Sequence, residues 1–426
     1  MAGSARKAAY RALFDVERRS AMSSAAADRA VRAEGLDRRD TSFAYRLIMG
    51  VLQNGDLLDR SIDQYLKSPK TELTVRIILR LGAYQILFTR VPARAAVSES
   101  VELCRTEGCP RAAGLVNAVL RRLAERPELP ALPPEGTAEY LSARYSHPLW
   151  LAQRLISDLG YAQAEQYFEY DNSDPPLTVI VNTLRTTPEL FRTRLESAGL
   201  EYSLPCDDER VISIPGCSPA LLPGFSEGLF FVQDSAAFRA VKMAEPFPGA
   251  AVLDACAAPG GKSLASALLM GGSGSILSCD ISAKKLSLIE ESAERLGIGI
   301  ITTCCLDASK PQSGLNGRFD VVLADVPCSG FGVIAKKPEI RRKSPTDVAG
   351  LSAVQRKIIN NLSAYVKPGG VILYSTCTVL KEENEDVVNA FLDSHSDFKL
   401  EKIKTFLPSS DGTDGFFAAL LRRVDQ

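Results

Sequence analysis

Asp325-Val326-Pro327-Cys328-Ser329-Gly330-Phe331-Gly332 follows the apolar run Phe319-Asp320-Val321-Val322-Leu323-Ala324, which is short and β-branched enough to be a buried strand. Pro327 has no N–H to give a ladder, so the strand stops there. A carboxylate and a thiol are thereby placed at the carboxyl end of a strand, the rim where open α/β sheets bind their ligands. Gly330 and Gly332 let a second backbone or a flat ring come close. A free cysteine is also a small hydrophobe that packs without reacting. This stretch alone leaves an inert strand end and a reactive site equally open.

Working outward, strand-like runs at 250–254, 275–279, 300–304, 319–324 and 370–376 alternate with helical segments. That rhythm predicts a parallel sheet wound on both faces. Ala251-Val252-Leu253 leads into Asp254-Ala255-Cys256-Ala257-Ala258-Pro259-Gly260-Gly261-Lys262-Ser263, and a helix follows. Glycines at such a turn bring a ligand against the backbone and the helix N-terminus. A triphosphate loop would need glycine where Cys256 stands. Asp280 ends the next strand, 20 residues past Gly260, the spacing at which a carboxylate meets a ribose hydroxyl pair. Asp307, after the third strand, is placed to face an adenine edge, and Asp325 completes the row. Any one aspartate is as ordinary as a cap or a turn; three at successive strand ends favour an adenosine-type cofactor.

The run Gly370-Val371-Ile372-Leu373-Tyr374 ends in Ser375-Thr376-Cys377-Thr378, and its place in the order makes it a neighbour of the strand ending at Asp325. Cys328 and Cys377 are then expected to face one pocket. The chain has two histidines and no C-x-x-C pair, which disfavours a Cys-His hydrolase, a zinc site and a thioredoxin-type redox role. A thiolate nucleophile beside an adenosyl cofactor remains.

The front of the chain reads differently. Tyr10, Leu13 and Phe14, then Ala44, Leu47, Ile48 and Val51, fall at helical spacing, with Asp40 or Thr41 as a cap for the second group. Ser68-Pro69 breaks the pattern, and Leu73 to Phe88 resumes it with Arg76 and Arg80 one turn apart. Further helices are expected from about Ala95 to Cys104 and from Arg111 to Leu123. Arg126-Pro127-Glu128-Leu129-Pro130-Ala131-Leu132-Pro133-Pro134-Glu135-Gly136 cannot be regular structure and marks a boundary. Beyond it, Leu177 to Asn182 reads as a strand and Pro188 to Leu200 as a helix. Three domains follow: an all-α bundle over 1–135, a small α/β module over 140–235, and the wound sheet over 236–426.

Net charge is −1, but residues 1–135 hold 22 Lys and Arg against 16 Asp and Glu. The positive field belongs to the front, as a polyanion partner would ask, although arginines on helices are often only a solvated face. Ten cysteines in 426 residues fit reduced thiols. No apolar run approaches a spanning helix, and Ala8-Ala9-Tyr10-Arg11 interrupts any leader. A cytoplasmic monomer with no membrane partner is the expectation.

The Asp-x-Pro-Cys-Ser-Gly stretch at 325–330, Ser-Thr-Cys at 375–377 and Asp-Ala-Cys-Ala-Ala-Pro-Gly-Gly-Lys at 254–262 together resemble the RNA (cytosine-5) methyltransferases that use S-adenosyl-L-methionine. The helical front resembles the NusB fold, an all-helical RNA-binding bundle. The likeness extends to Val232-Gln233-Asp234-Ser235 and Asp414-Gly415-Phe416-Phe417. It implies a Rossmann-like methyltransferase domain behind a NusB-like bundle, with 16S rRNA as substrate. It further implies that Cys256, Ala257, Ala258, Pro259, Gly260, Gly261, Lys262, Asp280, Asp307 and Asp325 bind or frame the cofactor. Cys377 matches the nucleophile, Cys328 the cysteine that aids release, and Asp325 the group that holds the base. Relatives carry a histidine and a tryptophan after the Pro-Cys motif, where this chain reads Ala335-Lys336-Lys337-Pro338-Glu339-Ile340-Arg341-Arg342-Lys343. So basic a segment suits a phosphate backbone or a solvated loop. The same chemistry on tRNA or 23S rRNA, and a NusB-like RNA-binding factor without activity, stay open at this stage.

Overall fold

The computed structural model describes residues 4–68, 70–216 and 218–424. Pro69, expected to break a helix with Ser68, and the start Met1–Gly3 lie outside the described residues. The chain forms two compact units. One comprises residues up to Asp174 together with Ile334–Arg342; the other comprises Pro175–Val333 and Lys343 onward.

In the first unit, helices α1 (Ser4–Arg19), α2 (Ser23–Glu34), α3 (Arg38–Gln53), α4 (Gly55–Asp63), α5 (Leu73–Phe88), α6 (Ala93–Thr106) and α7 (Ala113–Glu125) form a bundle. Leu13, Leu47, Ile48, Ile78 and Leu120, each wholly buried, lie in its single core. The cap of α3 is neither Asp40 nor Thr41 but Asp37, whose side chain accepts the Asp40 N–H at 2.8 Å. The helix thus begins a turn before its apolar face, and Asp40 lies in its first turn, where a negative charge is favoured. Arg76 and Arg80 point at carboxylates rather than outward: Arg76 meets Asp63 at 2.6 Å, and Arg80 meets Asp59 at 2.5 Å and Glu17 at 2.9 Å. After the proline-rich stretch, which has no helix or strand, α8 (Ala138–Tyr145), α9 (Leu149–Leu159) and α10 (Tyr161–Asp171) complete this unit.

The excursion Ile334–Arg342 corrects the phosphate-facing reading of the basic segment. Arg341 is buried and spans backbone oxygens and the Asn172 side chain, donating to Asn172 Oδ1 at 2.9 Å and to the Gln53 carbonyl. Burial pulls its pKa down to about 10. Arg342 is taken by Glu17. A guanidinium has five donors in a fixed fork, which suits bridging several carbonyls, and sequence periodicity carries no sign of that.

In the second unit, β1 (Leu177–Val181), β2 (Val211–Ile214) and β3 (Phe230–Val232) pair antiparallel in the order β2-β1-β3, with α11 (Pro188–Ser197) between the first two in sequence. Phe191 and Leu195 of α11 pack on Val179, Val181 and Ile212. Residues 140–235 are therefore shared: α8, α9 and α10 lie in the first unit, and the three strands with α11 lie in the second. Helix α12 (Ser235–Met243) leads into the large sheet.

That sheet comprises β4 (Ala251–Asp254), β5 (Ser275–Asp280), β6 (Ile301–Cys305), β7 (Phe319–Asp325), β8 (Val366–Thr376), β9 (Phe398–Phe406) and β10 (Phe416–Arg423). Its order is β6-β5-β4-β7-β8-β10-β9, parallel except for β10, which runs antiparallel to both neighbours. The five expected strands are all present. The sequence predicts neither of the last two: Phe398–Phe406 is exposed between its buried ends, and Phe416–Arg423 is largely apolar. Side chains alternate between two cores: Val252, Val321, Leu323 and Leu373 face α12 and α13 (Gly261–Leu269). Leu253, Val322, Ala324 and Tyr374 face α15 (Pro345–Leu362) and α16 (Glu385–Ser394). Helix α14 (Ala283–Leu296) follows β5, and the short α17 (Pro408–Asp411) joins β9 to β10. The result is a doubly wound, Rossmann-like sheet. Its strand order reverses at β4, with β5 on one side and β7 on the other, and such a switch point opens a crevice at the carboxyl ends.

Candidate active site

The rim of that crevice gathers the residues singled out in the sequence. Strands β7 and β8 are hydrogen-bonded neighbours with Asp325 opposite Ser375, so the two cysteine motifs leave the sheet side by side. Cys328 Sγ and Cys377 Sγ are 3.1 Å apart, and the Cys377 N–H points at the Cys328 sulfur at 3.3 Å. Its hydrogen bond to Cys377, and then burial, hold the Cys328 thiol well above its ordinary pKa. Either sulfur can be the donor in their contact.

Behind the cysteine loop, Gly332 donates to the Cys377 carbonyl at 2.9 Å, and Gly415 donates to the Gly332 carbonyl at 2.8 Å. A Cβ on Gly332 would fall 1.8 Å from the Gly415 oxygen. Only glycine fits there, and the sequence Gly-Phe-Gly is explained by that close approach.

Lys262, at the start of α13, reaches across to the end of β7. Its Nζ lies 2.7 Å from Asp325 Oδ2 and 5.0 Å from the centre of the Phe416 ring. Burial works against its charge, but Asp325 first and then Asp254 and Cys377 outweigh burial and raise its pKa. The lysine therefore stays cationic within the field of the Cys377 sulfur. Asp325 also accepts from Ser375 Oγ at 2.9 Å, which fixes the carboxylate in the plane of the strand ends.

The loop from Cys256 to Gly261 closes the other side. The Ala258–Pro259 peptide is cis, and Gly260 has φ of 110°, a left-handed conformation that favours glycine. A Cβ there would press on Ile289 of α14 at 3.2 Å. Ala257 is buried against Leu286 and Ile289. Burial, with Asp254 next, raises the Cys256 thiol pKa, so this cysteine is inert. Asp280 holds the loop by accepting the Ala258 N–H at 3.3 Å, and accepts Ser282 N–H at 2.9 Å. Asp307 is set apart, bonded to Ser309 Oγ at 2.6 Å and paired with Lys310 at 3.2 Å. The hydrogen bonds from Ser309 hold its carboxyl below the usual range.

Asp254, at the end of β4, was not among the sequence candidates. It is wholly buried, accepts from Ser263 Oγ at 2.7 Å, and its Oδ1 has no partner. Burial pushes its carboxyl up from 3.8 to about 7. Since the unfolded group titrates near ~4, ionising it opposes folding. Its contribution is whole below about pH 4 and is lost as pH rises through about 7, on the order of a few kcal/mol. Asp254→Asn keeps an acceptor for Ser263 and removes the ionisation. The melting temperature of the parent is expected to fall relative to that of the variant between about pH 5 and pH 8; parallel curves would mean that Asp254 is already ionised at the lower pH.

Glu383 and Gln355 were also missed. Both are wholly buried and lie behind the cysteine loop. No periodicity marks them, and the Glu382-Glu383-Asn384-Glu385 run reads as a polar turn. No group of three or more His, Cys, Asp and Glu among the described residues could hold a metal ion, and no described helix is long and apolar enough to cross a membrane.

Against known proteins, residues 241–422 match the family described as 16S rRNA methyltransferase RsmB/F. Residues 3–125 match the NusB family, and residues 147–212 match the ferredoxin-like domain of RsmF/B-like methyltransferases. A Bacillus subtilis (strain 168) protein named "Probable ribosomal RNA small subunit methyltransferase B" is 33% identical over 99% of both chains. The "Ribosomal RNA small subunit methyltransferase B" of Serratia proteamaculans (strain 568) is 33% identical over 91% of both. Among solved structures, that of PH0851 superposes with a TM-score of 0.83 at 27% identity, over 98% of each chain. A methyltransferase homolog protein from Pyrococcus horikoshii does so with a TM-score of 0.61 at 25% identity, over 68% of this chain and all of that one. A helical bundle, a three-stranded module and a wound sheet with two thiols at its rim thus occur in one chain that matches the Bacillus subtilis relative over 99% of both, and the chain belongs to the ribosomal RNA small subunit methyltransferase B family.

Proposed function

We propose that the chain transfers a methyl group from S-adenosyl-L-methionine to carbon 5 of a cytosine in small-subunit (16S) rRNA, through a covalent adduct with Cys377. The observation that carries this reading is the pair of sulfurs 3.1 Å apart with the Lys262–Asp325 pair beside them.

Carbon 5 of cytosine is too weak a nucleophile to take a methyl group unaided. A thiolate that adds to carbon 6 turns the ring into an enamine whose carbon 5 is nucleophilic. An ordinary thiol, with a pKa near ~8.5, is only a few per cent thiolate at neutral pH. Cys377 has two aids: the Lys262 cation, and the Cys328 thiol, which at 3.1 Å can donate a hydrogen bond to a thiolate at Cys377. Asp325, fixed by Ser375 and Lys262, is the acceptor for the exocyclic amine of the base. After methylation the proton on carbon 5 leaves to water or a base, the carbon 5–carbon 6 double bond re-forms, and the sulfur–carbon 6 bond breaks. Cys328 then donates a hydrogen bond to the departing Cys377 thiolate. The base must first leave its stack, at a cost of a few kcal/mol.

The residues at the rim fit S-adenosyl-L-methionine, which when bound supplies the electrophilic methyl. The loop Cys256-Ala257-Ala258-Pro259-Gly260-Gly261 forms a side-chain-poor cradle at the start of α13. The Asp280 carboxylate lies at the adjoining strand end, suited to ribose hydroxyls, with Asp307 beyond it after β6 and Asp325 on the other side of β4, at the end of β7.

RNA as the partner is supported by α3. Arg38, Arg39 and Arg46 are exposed around Phe43 and line one groove with Ser42, a set that offers phosphate contacts and a ring for a base. Replacing the three arginines together by glutamine is expected to lower the slope of log affinity against log salt by about 2 to 3 and to leave cofactor affinity unchanged. Filter binding over a salt series and calorimetry measure the two; an unchanged slope would remove this face from the RNA path.

The assignment of substrate is tested by labelled methyl transfer to unmodified small-subunit rRNA, large-subunit rRNA and tRNA side by side. Label is expected in the first alone, as 5-methylcytidine. Label in either of the others instead would move the same chemistry to a different RNA.

A further inference from the structure

The Cys377 side of the site is held by strand β8, whereas Cys328 lies in a stretch, residues 326–330, with neither helix nor strand. Something else must fix its sulfur to within hydrogen-bond reach of Cys377. We propose that Glu383 is the positioning residue that does so: a fully buried carboxylate that touches neither thiol and clamps the residue that follows Cys328. The inference rests on the assignment of Cys328 to product release made above.

Glu383 Oε2 accepts the Ser329 N–H at 2.8 Å and the Gln355 Nε2–H at 2.8 Å, and Oε1 accepts the Ser329 hydroxyl. The same Gln355 amide donates to the Pro327 carbonyl at 3.0 Å. The backbone on both sides of Cys328 is therefore tied to one carboxylate, on one side directly and on the other through Gln355. Ser329 has no freedom left: its hydroxyl also reaches Thr378 Oγ1 at 3.0 Å, and its carbonyl accepts from Lys343 Nζ at 2.6 Å. Thr378 follows Cys377, so the two loops share the clamp.

Glu383 is itself immobilised. Its carbonyl accepts from Tyr374 OH at 2.6 Å, and Tyr374 is fully buried on β8. A carboxylate is required by the donor count. Two backbone or side-chain N–H groups and one hydroxyl converge on it, and only an acceptor with two oxygens and no hydrogen satisfies all three. An amide in its place turns one N–H2 against a donor, and the cysteine loop relaxes away from the β8 side. The nucleophile keeps its place, because β8 holds it.

The consequence is selective. Addition and methyl transfer, which use Cys377, persist, while release, which uses Cys328, slows. A residue that mattered only for folding would lower both together.

The test uses the full-length protein with unmodified small-subunit RNA and measures the first-turnover methylation rate, the steady-state rate and the fraction of protein in an RNA adduct that survives denaturing electrophoresis. Cys328→Ala serves as the reference for blocked release. For Glu383→Gln, the steady-state rate is expected to fall at least tenfold and the first turnover less than threefold, with the adduct accumulating. Ser329→Ala, which removes one bond to the carboxylate and leaves its charge, gives the same imbalance to a smaller degree and serves if Glu383→Gln does not fold. Adduct with Cys328→Ala but none with the folded variants, or first turnover and steady state falling in parallel, would overturn the inference alone. No adduct with Cys328→Ala would overturn the release role of Cys328 and the inference with it.

Discussion

Cys377→Ala is expected to lower methyl transfer to RNA on the order of 10³-fold or more, with cofactor binding and melting temperature little changed. The size follows from the chemistry. Without addition at carbon 6 there is no enamine, and no other described group lies where it can replace the sulfur: Cys328 is 3.1 Å from it with a raised pKa, and Cys256 is half-buried, also with a raised pKa. Cys377 is half-buried at the edge of one core of the sheet, so its truncation costs little stability. Rate by labelled methyl incorporation, and binding by calorimetry, separate the two effects. A Cys377→Ala protein that methylates at a normal rate would end the assignment of nucleophile.

Cys328→Ala is expected to have the opposite signature: methylation of about one RNA per protein, then a steady-state rate lower on the order of 10²-fold, with the protein held on RNA through a bond that survives denaturation. The reason is again local. The departing sulfur leaves as a thiolate in a buried pocket, and an unpaired charge there is costly. Cys328 Sγ, 3.1 Å away, can donate a hydrogen bond to it. With alanine in that position the bond to carbon 6 is the more stable alternative. Retained turnover with no adduct on a denaturing gel would take Cys328 out of the mechanism.

The two cysteine motifs could be placed together from sequence because each ends a strand in a βα rhythm, and adjacent strands bring their ends to one rim. The same logic located Asp280 and the loop at 256–262. Three features were not legible. Lys262 looked like part of a phosphate or cofactor loop, and its reach across to Asp325 depends on where β7 ends relative to α13, which no spacing encodes. Arg341 sits in a run of charges that reads as solvated, yet it is buried where its two terminal nitrogens meet backbone carbonyls and the Asn172 side chain from residues far away in sequence. Glu383 and Gln355 act through hydrogen bonds between segments 28 to 54 residues apart in sequence, and hydrophobic periodicity is blind to such bonds. The antiparallel pair β9 and β10 was missed for another reason: the strands before it set the expectation of a parallel sheet, and Phe398–Phe406, with three lysines and a glutamate and only its ends buried, reads as a charged surface.

The central claim is a bond between the Cys377 sulfur and carbon 6 of cytosine. Small-subunit RNA made with 5-fluorocytidine tests it most directly, because fluorine replaces the proton that must leave carbon 5 and release is blocked. After incubation with S-adenosyl-L-methionine, nuclease and protease digestion followed by mass spectrometry is predicted to find the methylated fluoropyrimidine on the peptide containing Cys377. Its attachment to Cys328, or the absence of any adduct from a protein that methylates unsubstituted RNA, would contradict the account.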